Sequence, residues 1–321
     1  MTPDRTIFPV TRVGAAAQAL LQAEMIGRVL AVFRRTFYVI DSAGGVVCIG
    51  DASLGAGPLN ATCGILHNDW RAGPLSPGDP ARMTGGVLSI GHRSAFSLVE
   101  AETWKPAFRP TYRGWAALRR GLRHLAERAA MEAPADGLGR MISPLAAGDR
   151  RLLERGEGTP VAKAAAPGIG ALWHWLSRRL IDPAYRAAAP SAVASLLGMG
   201  PGLTPSGDDF LGGVAVTLRA LGCRESADDL AACLIGPLPD RTGTISAAHL
   251  RQALVGDASA VTLEAVDAVL AGDPVRIATA GRVAATIGHT SGWDTLCGVA
   301  CAAASFAAAP QEAEKSAVLY A

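Results

Sequence analysis

Residues 198–213 read Gly-Met-Gly-Pro-Gly-Leu-Thr-Pro-Ser-Gly-Asp-Asp-Phe-Leu-Gly-Gly, and this stretch decides the fold of the second half of the chain. Glycine and proline in close succession force the backbone through an irregular path before residue 206. A helix is then expected to start, with Ser206 at its N-cap and Asp209 as the reciprocal partner in a capping box. Apolar residues continue beyond this point at helical spacing.

A second stretch of the same design lies at residues 291–300. It aligns without gaps on residues 206–215, and seven of the ten positions are identical. The identity predicts an internally duplicated helix–loop–helix motif, with two helix starts of matching design brought together in the fold. Gly213 and Gly298 fall inside the two predicted helices, where each costs roughly 1 kcal/mol relative to alanine. Close contact between the helices is the simplest compensation for that cost.

The paired helix starts suggest a site for a small anion. The first turn of a helix carries unpaired N–H groups and partial positive charge, and two such ends facing one cleft would suit an anion. Gly207 and Gly292 lack side chains where a ligand could approach the backbone. A purely structural role is the alternative, because Ser-x-x-Asp also caps helices that bind nothing. The stretch is neither a Walker loop, which needs Gly-Lys-Ser/Thr, nor a Rossmann fingerprint, which follows a strand.

The composition is that of a globular protein without an obvious polyanionic partner. The chain has 321 residues, half of them hydrophobic, and a formal net charge of +2. That charge is too small to favour binding to nucleic acid or to an anionic membrane. Residues 1–10 contain no signal segment and no apolar run approaches the ~20 residues of a membrane span, so a cytoplasmic protein is expected. Six cysteines without a CxxC pair are expected to be reduced core thiols, and no metal site is predicted from them.

The order of the sequence patterns predicts an α+β fold. Short β-rich runs separated by glycine and proline predict a small antiparallel sheet or barrel over roughly residues 25–105. After residue 168, segments of helical periodicity predict an all-helical C-terminal domain that carries the duplicated motif. The predicted helices lie near residues 170–181, 184–197, 206–221, 225–235, 243–255, 260–271, 274–287 and 291–308. The expected division is an N-terminal β-rich domain with flanking helices at 1–131, a Pro-, Gly- and Ala-rich connector at 132–168, and the helical domain at 169–321.

The stretches at residues 198–209 and 288–298, together with residues 244–250, resemble the AllH family, whose members are subunits of oxamate carbamoyltransferase. The N-terminal half is similar to the family only in layout, with a β-rich region and a Gly57-Pro58 turn. The resemblance implies an enzyme complex of allantoin and purine breakdown that converts oxalurate and phosphate into oxamate and carbamoyl phosphate. It also implies AllF-like and AllG-like partner subunits.

Roles for the motif residues can be assigned from the reaction that the resemblance implies. His289 is a candidate general acid for the departing amide nitrogen, with an ordinary loop histidine as the alternative. Asp209 and Asp294 are candidate catalytic residues, and Asp208, Asp209 or Asp294 could accept hydrogen bonds from the carbamoyl NH2 group. The N–H groups of Gly207 and Gly292 are candidate donors to the developing oxyanion. The predicted substrate- and phosphate-binding residues are Gly202, Thr204, Ser206, Gly207, Asp208, Arg241, Ser246, Thr290, Ser291 and Gly292.

Three carboxylates beside an anion site create a conflict of charge. They would repel the anion unless they cap their own helices, face the NH2 group or bind a cation. Mg²⁺ held by Asp208 and Asp209 is therefore one option, and no other cofactor is predicted. Two further functions fit the same sequence: a non-catalytic structural or regulatory subunit of the complex, and a stand-alone hydrolase of a ureido or amide substrate.

Overall fold

The chain folds into two compact units, Met1–Ala107 and Phe108–Ala321. The structure is a computed structural model that describes residues 6–22, 24–51, 53–64, 69–106, 110–149, 158–182, 184–185 and 187–308. The first unit is β-rich and the second is helical, which confirms the α+β layout. The finer division with a separate connector at 132–168 stays a prediction, and residues 150–157 of that segment lie outside the described residues.

The N-terminal unit, in its described part, contains nine strands and one α-helix. The helix, α1 (Ala15–Gln22), lies between the first two strands. The strands are β1 (Thr6–Gly14), β2 (Ile26–Val32), β3 (Thr36–Asp41), β4 (Val46–Gly50), β5 (Asn60–Cys63), β6 (Pro80–Thr84), β7 (Val87–Ile90), β8 (Ser94–Ser97) and β9 (Glu102–Trp104).

Eight of these strands form a closed barrel in the order β1-β5-β4-β3-β2-β6-β7-β8, with β8 pairing back onto β1. β9 pairs with the end of β1. The sheet is mixed, because β1 runs parallel to β8 and β9, and β4 runs parallel to β5. The prediction of an antiparallel β-rich domain is therefore wrong.

The first strand explains why the sequence did not reveal the mixed sheet. Residues 6–9 of β1 pair with β8, residues 12–14 pair with β9, and the pairing with β5 shifts register between Val10 and Arg12. Side chains alternate with a period of two in a strand of either direction. Alternation therefore identifies the strands, whereas their relative direction depends on pairing with segments far along the chain.

Aromatic side chains fill the barrel. Phe8, Phe37, Trp70 and Phe96 form a cluster whose ring centroids lie 5.1 to 5.9 Å apart. The indole N–H of Trp70 donates to the carbonyl oxygen of Arg35 at 3.1 Å, so the buried ring leaves no polar atom unpaired. This part of the barrel is a packed core.

In its described residues, the C-terminal unit has only helices as regular structure. Its α-helices are α2 (Trp115–Glu132), α3 (Ile142–Ala147), α4 (Pro160–Ile181), α5 (Ser206–Ala220), α6 (Arg224–Ile235), α7 (Leu238–Arg241), α8 (Thr244–Val255), α9 (Ala260–Ala271), α10 (Pro274–Ala284) and α11 (Ser291–Ala307). Short 3-10 helices cover Gly139–Met141 and Ser191–Leu196. In the described residues, no helix combines the length and the apolar character needed to cross a membrane.

The duplicated helices, α5 and α11, pack tightly against each other. A Cβ atom built on Gly213 would lie well under 3.0 Å from the carbonyl oxygen of Thr295, and one built on Gly298 equally close to that of Phe210. Phe210 and Thr295 occupy corresponding positions of the two copies, so the contact has a local twofold symmetry. The prediction that close helix contact compensates for the two glycines is confirmed.

Asp273 caps the start of α10 in the same unit, and the contribution of this cap to stability can be measured. Its carboxylate accepts the N–H groups of Val275 at 3.0 Å and Arg276 at 3.1 Å at the start of α10. We expect Asp273→Ala to lower the free energy of unfolding by about 1 kcal/mol, as loss of an N-cap does. Urea unfolding of the full chain measures this change. Asp273→Asn keeps an acceptor and should lose less, so equal losses for the two variants would contradict the prediction.

Candidate functional site

The starts of α5 and α11 lie side by side. The hydroxyl of Thr204, just before α5, is 3.1 Å from the hydroxyl of Ser291, the first residue of α11. Glycines with positive φ precede both helices, at 108° for Gly200 and 58° for Gly288. The prediction that the two helix starts come together is confirmed. The predicted site residues that gather here are Thr204, Ser206, Asp209, Thr290, Ser291 and Asp294.

Neither serine caps its helix. α5 begins at Ser206 itself with Pro205 at the N-cap, α11 begins at Ser291 with Thr290 at the N-cap, and within the described residues neither start has a side-chain capping hydrogen bond. The carbonyl oxygen of Pro205 accepts the N–H groups of the third and fourth helical residues at 2.9 and 3.1 Å. The donors that a capping side chain would satisfy are therefore already bonded, and the capping-box prediction is wrong.

The glycines that follow the serines make room for backbone. A Cβ atom on Gly207 would lie well under 3.0 Å from the carbonyl oxygen of Leu196, and one on Gly292 equally close to that of Ala284. The N–H groups of both glycines donate to backbone carbonyl oxygens, at 2.9 and 3.3 Å. This pairing removes the free donors that the predicted oxyanion role of Gly207 and Gly292 requires.

Asp208 is a structural carboxylate. Its Oδ1 accepts the N–H of Gly198 at 2.8 Å, and its Oδ2 accepts the hydroxyl groups of Thr242 and, at 2.6 Å, Ser246. The residue is 3% exposed, and its bonds tie α5 to the loop before it and to the start of α8. Because both oxygens are occupied, Asp208 does not fit the Mg²⁺ site that the sequence suggested with Asp209. The described part of the chain contains no group of three or more His, Cys, Asp and Glu side chains that could hold a metal ion.

Replacing Asp208 tests its structural role. We expect Asp208→Ala to lower the free energy of unfolding by about 2 kcal/mol, because hydrogen bonds to a charged acceptor are lost and buried donors are left unpaired. Asp208→Asn retains one acceptor for the Gly198 N–H and should lose less. Urea unfolding of both variants gives the comparison, and an unchanged stability of Asp208→Ala would contradict it.

Asp209 and Asp294 differ from Asp208 because each keeps an unsatisfied oxygen. Their Oδ2 atoms are both buried and have no hydrogen-bond partner among the described residues. Asp294 is 0% exposed, and its Oδ1 accepts the N–H of Leu138 at 2.6 Å. An unpaired buried carboxylate oxygen is costly, so packing alone does not explain why this pair is present.

The surroundings of the pair favour the protonated form of each carboxyl group. Burial raises the pKa of Asp209 well above its usual value, hydrogen bonding from Ser291 lowers it, and the charge of Asp294 raises it again. Burial also raises the pKa of Asp294, while hydrogen bonds from Leu138 and Ser206 limit the increase. Each aspartate thus interacts with the first serine of the opposite helix. Asp209 of α5 interacts with Ser291, and Asp294 of α11 interacts with Ser206.

The sequence reasoning missed two contributors. Gly137 has a φ of 72°, and a Cβ atom there would lie 2.6 Å from Oδ1 of Asp294, so the absent side chain lets Leu138 approach that carboxylate. The Pro-Ala-Asp-Gly run at 134–137 signals a turn, but no local feature says which helix the turn covers. Thr242, which donates to Asp208, lies just before α8. A hydroxyl group at that position in the sequence is typical of an ordinary helix cap, so it did not indicate a contact with Asp208.

The remaining predicted site residues lie on the surface or in the Asp208 network. His289 is exposed, with its Nε2 atom 3.4 Å from Oδ2 of Asp136, which is exposed as well. Arg241 and Gly202 are also exposed. Ser246 donates to Asp208. These positions leave the buried pair as the chemically distinctive feature of the site.

Two family models match the chain and cover both the barrel and the duplicated helices. The model described as AllH family N-terminal domain matches residues 10–103. The model described as oxamate carbamoyltransferase subunit AllH matches residues 196–303, from the loop before α5 through most of α11. No curated protein and no solved structure matches the chain significantly. With its barrel and its twofold helix pair both matched, the chain belongs to the AllH family.

Proposed function

We propose that this chain works in a cytoplasmic oxamate carbamoyltransferase complex of allantoin and purine catabolism. The complex would transfer the carbamoyl group of oxalurate to phosphate, giving oxamate and carbamoyl phosphate, with AllF-like and AllG-like subunits as partners. Membership of a family described as an oxamate carbamoyltransferase subunit supports the role as a subunit. The observation that carries a direct part in the chemistry is the pair of unsatisfied oxygens on Asp209 and Asp294.

The pair suits the carbamoyl group better than it suits phosphate. A ureido NH2 group offers two N–H donors, and carboxyl oxygens are acceptors for them. A phosphate dianion beside the same oxygens would be repelled by any carboxyl group of the pair that is ionised. The helix starts also offer fewer free amides than their position suggests, because first-turn N–H groups of α5 donate to backbone carbonyl oxygens of Met199 and Pro205. We therefore assign the joined helix starts to the NH2 end of oxalurate.

Phosphate needs positive charge, and the basic residues predicted for the site are exposed. Arg241 and His289 lie on the surface of this chain. Their attraction for an anion is weak in bulk water and grows when water is excluded. A partner subunit packed over the loops at 200–204 and 287–290 would exclude that water and add cationic side chains. This requirement explains why the reaction would need an assembled complex.

A non-catalytic structural subunit is the second candidate, and the packing of the glycines favours it. Gly207, Gly213, Gly292 and Gly298 are explained by close approach of backbone alone. A scaffold would need nothing more from the duplicated motif. The paired aspartates are not explained in this way, because they neither cap their helices nor pair all of their oxygens.

Reconstitution tests the proposed function. The purified chain is mixed with AllF-like and AllG-like subunits, oxalurate and inorganic phosphate are supplied, and carbamoyl phosphate and oxamate are measured. We expect product formation only when this chain is present. Equal product formation by the partner subunits without it would contradict a catalytic contribution. The isolated chain is the matching control, and full activity from it alone would remove the need for partners.

A further inference from the structure

A cleft of about 280 Å³ lies at the end of the barrel that carries the turn between β6 and β7. Residues of α1 form one side of the cleft and the turn forms the other. Ligand pockets in proteins start at roughly 300 Å³, and the mouth of a β-barrel is one of the places where they occur. The size and position of the cleft therefore suit one small molecule.

The floor of the cleft is apolar and continuous with the barrel core. Val13, Leu21 and Met83 line the cleft, and all three are buried members of the core cluster that also contains the aromatic side chains of the barrel. Leu98 lines the cleft as well and packs against the same cluster. A ligand that covers this floor gains free energy from burying apolar surface, so it needs an apolar body.

The turn keeps its side of the cleft free of side chains. Gly85 and Gly86 have φ values of 56° and 80°, as the two-residue turn between antiparallel strands requires. A Cβ atom built on Gly85 would meet no atom within 4 Å, so this rim borders open space. The turn therefore leaves the apolar floor accessible to a ligand from solvent.

The side of the cleft formed by α1 carries an oriented hydrogen-bond donor. The hydroxyl group of Thr103 on β9 donates to Oε1 of Gln18 at 2.5 Å. Because this bond turns the carbonyl oxygen toward Thr103, the NH2 group is the part of Gln18 that remains for a ligand. Gln22 lines the cleft one helical turn further along α1 and adds a second amide.

The charge of the cleft is negative. Among the described residues that line it, Glu24 is the one ionisable side chain, and it is exposed two residues after the end of α1. An anion would find no cation among these residues and would be repelled by the carboxylate. Glu24 can only accept hydrogen bonds, whereas Gln18 presents a donor. A ligand that satisfies both groups carries an N–H and a carbonyl oxygen and has no negative charge.

We propose that this cleft binds a small neutral molecule that carries an amide or urea group on an apolar body. The carbonyl oxygen of the ligand accepts the NH2 group of Gln18, its N–H group donates to Glu24, and its apolar body covers the floor. The ligand class separates this site from the reaction proposed above, because oxalurate, oxamate, phosphate and carbamoyl phosphate are all anions. The inference therefore stands without carbamoyl transfer, and its test needs no assay of activity.

Three probes with the same ring and different head groups test the ligand class: benzamide is neutral, benzoate is anionic and benzylamine is cationic. Saturation-transfer NMR titrations with the full chain give the dissociation constant of each. We expect benzamide to bind in the millimolar range, as so small a molecule does. Benzoate should bind about fivefold more weakly or worse because Glu24 repels it. Benzylamine should also bind more weakly, since it has no acceptor for Gln18 and its attraction to an exposed carboxylate is screened. Failure of benzamide to bind, or equal or tighter binding of either other probe, would overturn the proposal.

Two substitutions test the location of the site. Glu24→Gln removes the charge at an exposed position outside regular structure, so the chain should fold as before and discriminate less against benzoate. Gln18→Glu replaces the donor by a second carboxylate, so it should weaken benzamide about fivefold and make benzylamine the tightest of the three probes. Gln252→Glu makes the same change on α8 and is the matched control, with all three dissociation constants unchanged. If Glu24→Gln leaves the discrimination against benzoate as it is in wild type, or a folded Gln18→Glu leaves the order of the probes unchanged, benzamide binds elsewhere and the proposal is wrong.

Discussion

Gly298→Ala should destabilise the helical unit by about 3 kcal/mol or more, the upper part of the range for overpacked cores. A Cβ atom at this position would lie well under 3.0 Å from the carbonyl oxygen of Phe210 and 2.9 Å from the backbone nitrogen of Val214. These are backbone atoms of α5, so the clash is relieved only when the two helices separate. The better helix propensity of alanine, roughly 1 kcal/mol, offsets only part of that loss.

Thermal unfolding of the full chain measures the effect. For a unit of this size the expected loss corresponds to a fall of about 6–12 °C in melting temperature. Gly213→Ala should behave in the same way, because it meets the carbonyl oxygen of Thr295. Gly170→Ala is the matched control: this glycine lies inside α4 with no neighbour within 4 Å of the built Cβ atom. It should raise stability by about 1 kcal/mol or less. A melting temperature of Gly298→Ala at or above the wild-type value would contradict the helix contact.

Helix positions in the C-terminal unit were well predicted because their signals are local. The predicted segments 206–221, 243–255 and 260–271 correspond to α5, α8 and α9 within one residue at either end. Glycine, proline and apolar periodicity mark such ends within a few residues of sequence. The predicted helix at 184–197 is instead reduced to the 3-10 turn at Ser191–Leu196, because Pro190 at its start has an extended backbone.

The directions of the barrel strands could not be predicted from local sequence. The strands from β2 onward fall within the β-rich region predicted at 25–105, but β1 (Thr6–Gly14) lies outside it and was not predicted. The parallel pairing of β1 with β8 joins opposite ends of the N-terminal unit. The strand directions follow from closure of the whole barrel, which depends on every strand together. The sequence of a single strand therefore does not indicate whether the neighbouring strand is parallel or antiparallel.

The candidate site was located by the duplication, yet the roles of its groups had to be revised. Asp208 and Asp209 are adjacent in sequence, but one residue of helix turns them about 100° apart. Asp208 consequently faces Thr242 and Ser246 at α8, and Asp209 interacts with Ser291 at α11. The alignment held the signal that separates them, because the second copy has tryptophan in place of Asp208 and repeats only Asp209.

Asp209→Asn and Asp294→Asn should each lower the kcat of the reconstituted complex by about 10²–10⁴-fold, the usual contribution of a general acid or base. Their effect on stability should be small or favourable. The pKa of Asp209 is raised in the folded chain, whereas the unfolded residue ionises near about 3.9. Its contribution to stability is therefore fully present below about pH 3.9 and is lost as the pH rises toward the folded pKa. Asparagine resembles the protonated acid and escapes that loss.

The stability of Asp209→Asn relative to wild type should consequently increase as the pH rises above about 3.9, as measured by urea unfolding at a series of pH values. Asp273→Ala provides the opposite pattern, with a loss of about 1 kcal/mol and an unchanged kcat. If both asparagine variants instead lose stability and keep the wild-type kcat, the two carboxyl groups are structural and this chain is a non-catalytic subunit. If they keep stability and lose turnover, the buried oxygens that packing leaves unsatisfied are retained for the reaction, since helix packing alone gives no reason to keep them.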